Sequence, residues 1–429
     1  MHDARTLLEP SAVAGLARRG YALGTATLDE LVRRRVELVK ERDALRAELN
    51  AARRARPRGE AVDPAAMREQ ARADKERLQK LEEQSRLCEA DLRELLLAIP
   101  NLPSDDAPDG KQGDPGVEIR RWGEQPALGF EPRDHVDLGT ALGILDLTRA
   151  AKLSGSRFAV TRGAGARLER ALVSFLLDIH TGEHGYVEHG LPHLVGPEAM
   201  TGTGQLPKFA DDLFATGVSG RDLLLVPTAE VPLVNLYREE TIDEAALPLA
   251  LASHTPCYRA EAGSYGRDTR GLIRLHQFDK VELVRICHPD QAAEQLELLV
   301  AHAETCLQRL GLHYRVVDLV AGDLGFAARR TFDIEVWLPG QGAYREISSC
   351  SECGTFQGRR AGIKVARRGG QKSFAATLNG SALPVGRTLV AILEQYQRGD
   401  GSVAVPPALV PYAGFSAIEP DGSVRPEAG

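Results

Sequence analysis

Two heptad runs near the N-terminus constrain this chain more than any other feature. Leu31, Leu38 and Leu45 recur every seven residues amid dense Arg, Lys and Glu. A break at 53–64 holds Pro57, Gly59 and Pro64. A second run then sets Met67, Ala71, Asp74, Leu78, Leu81, Ser85, Cys88, Leu92 and Leu95 at alternating spacings of four and three. A stripe this narrow buries little except against another of its kind, so the runs predict two long antiparallel helices joined at a tip. At about 1.5 Å rise per residue, helices of about 30 residues give an arm projecting roughly 40–50 Å. Its outer face and tip are basic, with Arg33, Arg34, Arg35, Lys40, Arg42, Arg46, Arg53, Arg54, Arg56 and Arg58. Balanced by Glu residues, such a face is a solubilising surface. The arginines from 53 to 58 have few acids beside them, and positive charge at the end of an arm suits a phosphate backbone contacted by shape. An RNA-binding arm and an arm for a protein partner both fit these residues.

Ahead of the arm, 10–19 reads as a short helix. After it, a linker rich in Pro, Gly and Asp runs to about residue 116. Leu168, Ala171, Leu172, Phe175, Leu176 and Ile179 mark one face of a helix at 167–180. Strand-like runs come next at 186–189, 223–226, 257–260, 277–283, 313–317, 332–337 and 345–348, with helices at 288–310 and 387–397. Strands clustered with few helices between them predict an α+β fold on a mostly antiparallel sheet rather than a doubly wound one. Neither a G-x-G-x-x-G nor a G-x-x-x-x-G-K-[ST] string is present, so nucleotide binding would need another device.

The segment 255–285 offers one. Arg259, Arg267, Arg270 and Arg274 gather on a short hairpin, with Glu261, Asp268 and Glu282 among them. Four guanidiniums this close repel one another unless an anion lies between them, and arginine forks suit polyphosphate oxygens. With 43% hydrophobic and 26% charged residues, the composition is that of an ordinary soluble protein. A net charge of −7 argues against indiscriminate nucleic-acid binding and leaves room for a local basic patch. No apolar run approaches the ~18 residues of a membrane span and no signal-peptide core is present, which predicts a cytoplasmic protein with no membrane partner. Cys350 and Cys353 form a lone C-x-x-C without a second pair at zinc spacing, and the expectation for all six cysteines is packed, reduced thiols.

Eight strings in order carry a resemblance that spans the chain: AIPNLP at 98–103, GSRF at 155–158, GTGQLPK at 202–208, VPTAEVP at 226–232, the hairpin at 257–285, REISSCS at 345–351, FQ at 356–357 and TLNGS at 377–381. With the arm before them, they resemble the seryl-tRNA synthetases of the common bacterial type, class II aminoacyl-tRNA synthetases. The resemblance implies an N-terminal tRNA-binding domain at 1–103, with its arm at about 27–98, and a class II catalytic domain at 104–429. It implies a serine–tRNA ligase that forms seryl-adenylate from L-serine and ATP and passes the seryl group to serine tRNA, with selenocysteine tRNA a further candidate. Motif 1, from the helix at 167–180 to Pro192, would build a homodimer; motif 2 is the hairpin; motif 3 begins at Gly386 and Arg387. Arg259 would hold the α-phosphate, Glu261 the adenine amino group, and Phe278 would stack on the base. Arg387 would cover the other side and reach the γ-phosphate. Ala260, Arg274, Leu275, Ile347 and Ser348 complete the implied ATP site, with Glu346 and Ser349 on Mg2+. Thr228, Ala229 and Glu230 would take the serine amino group and Glu282 its hydroxyl, with Asn379 and Ser381 closing the pocket. Arg259, Glu282 and Arg387 would carry catalysis. Arg267, Arg270 and Arg274 are candidates for pyrophosphate or the tRNA end, and Arg46, Arg53, Arg54, Arg56 and Arg58 for the tRNA body.

The chain departs from the family pattern at 351–355, where an Asn and an acidic residue are missing. It also departs at Gly358 in place of a common Ala, at 373–377, where a Pro and a His are missing, and at Pro384. These departures raise the alternative of a specialised paralogue serving antibiotic resistance or biosynthesis. A catalytically dead binding paralogue is a further alternative, against which the intact Arg259, Glu261, Glu282, Glu346 and Arg387 argue.

Overall fold

The computed structural model describes residues 1–54, 64–263, 270–367 and 369–427. The chain divides into two compact units, one of Met1–Ala17 with Tyr21–Pro100 and the other of Arg18–Gly20 with Asn101–Gly429.

In the first unit, helices α1 (Thr25–Arg54) and α2 (Pro64–Ala98) pair along their length. Arg35 Nε lies 3.5 Å from Glu89 Oε1 and Arg46 Nη2 lies 2.7 Å from Glu82 Oε1. One partner's number falls as the other's rises, so the pair is antiparallel, as the heptads predict. Leu28, Leu38 and Leu45 are buried opposite Ser85, Cys88, Leu92 and Leu96. Leu31, Asp74, Leu78, Leu81 and Leu95 are only half-buried and Ala71 is exposed, because two helices alone cannot cover both flanks of their seam. Several arginines of the outer face are in ion pairs: Arg33 with Asp29, Arg42 with Asp43 and Arg46 with Glu82. Arg54 is exposed at the end of α1. Arg56, Arg58 and the side chain of Arg53 lie outside the described residues.

The second unit is built on eight strands: β1 (Val117–Trp122), β2 (Val187–Glu188), β3 (Leu249–Tyr258), β4 (Gln277–Cys287), β5 (Tyr314–Asp318), β6 (Arg330–Leu338), β7 (Ala343–Glu352) and β8 (Ala376–Pro384). Their order is β1-β5-β6-β7-β8-β4-β3-β2. Every pairing is antiparallel except β2 against β3 at the edge. Helices α3 (Ala164–Gly182), α4 (Ala292–Arg309) and α5 (Val385–Gln395) contribute to the large core with this sheet. The six apolar residues that predict the helix at 167–180 are all buried in α3. Strand β8 holds the TLNGS string, and neither period nor propensity points to its central place in the sheet.

Alternation along β4 divides its side chains among two cores and a cavity. Val281, Leu283 and Cys287 enter the large core, whereas Val284 and Ile286 enter a second core on the opposite side of the sheet. Phe278, Lys280 and Glu282 share the even-numbered side and line a cavity instead. All six cysteines are free and buried. Among the described residues no helix is long and apolar enough to cross a membrane.

Candidate active site

The cavity over β4 has a volume of ≈ 220 Å³ and adjoins a second of ≈ 400 Å³, the two sharing Gln205, Thr228, Glu230, Arg259, Glu261, Arg274 and Asn379. Of the residues singled out in the sequence, the first also collects Leu275, Phe278, Glu282, Glu346, Ile347, Ser349, Ser381 and Arg387. Ala229 does not join them, being buried in the second core. Ser348 turns away, its hydroxyl donating to the Ser381 carbonyl at 2.6 Å. The reason is a bulge: Ile334 pairs with Ser348 but Glu335 with Glu346, so Ile347 is extra. That extra residue brings Glu346 and Ser349, three apart in sequence, onto one face.

One wall is cationic and aromatic. The Arg259 guanidinium carbon lies 5.2 Å from the centre of the Phe278 ring. Arg387 Nη1 donates to the Glu346 carbonyl at 2.8 Å and its Nε to the Ile273 carbonyl at 3.1 Å, while Nη1 lies 3.3 Å from Glu346 Oε1. Arg274 is ion-paired with Glu261, so the carboxylate expected on an adenine amino group already has a partner. Asp333, which no motif in the sequence marks, pairs with Ser349 across the strands. Burial raises its carboxyl well above the usual carboxylate range, and the neighbouring Glu346 raises it further. Alternation is the signal that finds it, since Asp333 and Glu335 stand opposite Ser349 and Glu346.

The recess beyond is lined by two carboxylates held in different ways. Glu230 Oε1 accepts from Gln357 Nε2 at 2.6 Å and from Asn379 Nδ2 at 2.9 Å. Gln357 is fully buried and its orientation is fixed: its oxygen accepts from Thr377 Oγ1 at 2.6 Å and its nitrogen also donates to the Thr203 carbonyl at 3.1 Å. Burial pushes the Glu230 carboxyl up to about 7, against the Gln357 hydrogen bond that lowers it. Glu282, in contrast, is ion-paired with Lys280, whose ammonium also donates to Thr228 Oγ1 at 3.0 Å. Lys280 is not among the residues the sequence singles out, although it stands between Phe278 and Glu282 at the spacing of two that shares a strand face.

The return of the hairpin is clasped from behind. Arg270 Nη1 lies 2.8 Å from Asp134 Oδ2 and the same guanidinium pairs with Asp137, so Arg270 is committed to structure rather than directed at an anion. His135 Nδ1 is 2.9 Å from Glu394 Oε1, and its Nε2 accepts from the Leu272 backbone N–H at 3.2 Å. Gly271 passes so close that a Cβ there would lie 2.1 Å from His135 Nε2. Arg267 and Asp268 lie outside the described residues. Together these groups offer cations and a flat ring for a polyanion bearing a planar base, beside a recess for a small molecule with an ammonium.

Residues 3–103 match the family described as the seryl-tRNA synthetase N-terminal domain, and residues 215–396 match the class II tRNA synthetase core domain (G, H, P, S and T). The chain is 60% identical over 427 residues to serine–tRNA ligase 2 of Streptomyces avermitilis, covering 99% of this chain and 100% of that protein. It is 52% identical over 409 residues to serine–tRNA ligase of Nitratidesulfovibrio vulgaris, covering 94% and 96%. Among solved structures, seryl-tRNA synthetase from Pyrococcus horikoshii complexed with ATP superposes with a TM-score of 0.88 at 34% identity, over 98% of this chain and 100% of that one. Cytoplasmic serine–tRNA ligase from Naegleria fowleri in complex with AMP gives 0.84 at 27% identity, over 97% and 98%.

Proposed function

The chain belongs to the seryl-tRNA synthetase family and is an ATP-dependent serine–tRNA ligase, and we propose that the cleft over β4 activates serine and charges tRNA with the side chains that line it. Arg259 holds the α-phosphate and offsets the charge that develops when the serine carboxylate attacks it. Phe278 stacks on adenine, and Arg387 covers the other side and reaches the γ-phosphate. Little covalent work falls to the protein, so positioning and electrostatic stabilisation carry the rate. Glu230 takes the serine ammonium. Glu282 takes the hydroxyl, and Asn379 and Ser381 close the pocket.

Glu346 and Ser349 would hold Mg2+, hard oxygen donors on one face beside a buried Asp333 oxygen without a hydrogen-bond partner. When bound, the ion supplies neutralisation of phosphate charge. The arm carries the tRNA body through its tip arginines, and two copies pair through α3 and the edge strand β2, where Val187 is 61% exposed. The work is cytoplasmic, beside the tRNA pool.

What carries this reading is the juxtaposition of the Arg259–Phe278–Arg387 wall with the Glu230–Glu282 recess. The test pairs serine-dependent ATP–pyrophosphate exchange with tRNA charging in the full chain and in a variant lacking residues 51–65. Exchange should persist and charging should collapse on deletion. Unchanged charging would refute the RNA-binding arm, and absent exchange in the full chain would refute the assignment of the cleft.

A further inference from the structure

Serine offers its pocket two polar ends, a cationic amine and a neutral hydroxyl, and the recess meets them with two carboxylates. The partners of those carboxylates differ in charge. Glu230 is held by the neutral amides of Gln357 and Asn379 and, among the described residues, has no direct ion pair, Lys280 and Arg259 acting on it through space alone. Glu282 is held by Lys280, and the pair is buried, with Lys280 6% and Glu282 2% exposed. Thr228, 4% exposed, anchors the ammonium from the other side.

We propose that Lys280 is a specificity-determining residue: by compensating Glu282 it makes the side-chain end of the pocket electrically neutral, so that end accepts a hydroxyl and rejects an ammonium. This rests on the reading that Glu282 faces the serine side chain. A lone buried carboxylate would draw in any cation that fits, because an uncompensated charge in a dry site is costly. L-2,3-diaminopropionate fits in size, carrying a protonated amine where serine carries its hydroxyl. With Lys280 in place, its second ammonium meets a like charge instead of a free anion. A hydroxyl still finds an acceptor, since one ammonium leaves a carboxylate with lone pairs to spare. The two acids thus sort the two ends of the substrate by what already holds each of them, and this also fixes which way round serine lies. Selection works here through repulsion of the wrong ligand as much as attraction of the right one.

The experiment compares kcat/KM for L-serine and L-2,3-diaminopropionate in ATP–pyrophosphate exchange by the full chain, near pH 6, below the usual α-amino range. Lys280→Met should raise the diaminopropionate-to-serine ratio by about 100-fold, while Lys280→Arg, which keeps the charge, should hold the ratio within about threefold of the unaltered protein. Lys280→Gln keeps a donor for Thr228 without the charge and should raise the ratio as well. If the neutral variants turn over neither amino acid, the same ratio is read from the thermal shift each one induces. A ratio unchanged in both neutral variants overturns the inference. Glu282→Gln separates the two levels. Its loss of serine exchange upholds the underlying reading whatever the Lys280 variants do, and its full retention would overturn that reading.

Discussion

The proposed role of Glu230 fixes a pH dependence. Its carboxyl is pushed from the ordinary 4.5 to about 7, chiefly by burial. That shift corresponds to about 3 kcal/mol of preference for the protonated form. A protonated carboxyl offers an ammonium no charge, so capture of serine should follow the ionised fraction. Near pH 6 roughly one-tenth of the free protein is ionised, and kcat/KM for serine should lie about tenfold below its plateau. Near pH 8 it should have levelled. Once serine is bound, its ammonium favours the carboxylate, so the midpoint seen in kcat should lie below that seen in kcat/KM. The assay is serine-dependent ATP–pyrophosphate exchange across roughly pH 5.5–8.5, with Glu230→Gln alongside. A flat kcat/KM profile, or a midpoint near 7 that survives in Glu230→Gln, would refute the reasoning. Stability carries the same sign. The substrate-free fold holds this proton more tightly than the unfolded chain, so the group favours folding in full below 4.5, and that contribution fades as pH rises through about 7. Serine should therefore raise Tm more near pH 8 than near pH 6.

Two further outcomes stem from the packing around that carboxylate. Gln357→Leu removes a charge-assisted hydrogen bond and leaves Thr377 without its acceptor, so KM for serine should rise about 10- to 100-fold with KM for ATP within about twofold; equal changes in both constants would show that Gln357 serves the fold alone. Gly358→Ala would place a Cβ 2.3 Å from the Ala375 carbonyl, at the root of β8, so it should lower Tm and raise KM for serine through displaced Thr377 and Asn379. An unchanged KM for serine and Tm would show that the strand moves aside without cost.

The heptads and most strand runs were legible because period decides both: a 3.5-residue stripe has one way to be buried, and α3 likewise shows its six apolar residues facing the core, but the run at 257–260 caught only the end of β3 and β1 went unmarked. Strand β8 was legible only as a string of familiar residues. Asn379 and Gly380 have low strand propensity, and the surrounding β7 and β4 make this segment a strand by pairing on both sides. The site was legible residue by residue where a family motif could be matched. Partners were not. Lys280, Gln357 and Asp333 became visible only when the sheet brought them beside Glu282, Glu230 and Ser349, and Arg270 changed from anion binder to anchor once Asp134 and Asp137 stood next to it. The departures at Gly358 and at 373–377 also meet in space: the helix Phe356–Ala361 approaches the Ala375 backbone where a Cβ at Gly358 would collide, so the two share one packing contact.

The alternation of β4 has a consequence for how such a protein can change. A slip of one residue in this strand would exchange Phe278, Lys280 and Glu282 for Asp279, Val281 and Leu283, turning an aromatic ring and an ion pair into a largely greasy wall. The same slip would drive Lys280 and Glu282 into the large core where Val281 and Leu283 now pack. An insertion or deletion within β4 would therefore disturb cavity and core together unless a bulge absorbed it, as Ile347 does in β7, whereas a replacement in place alters one side chain at a time.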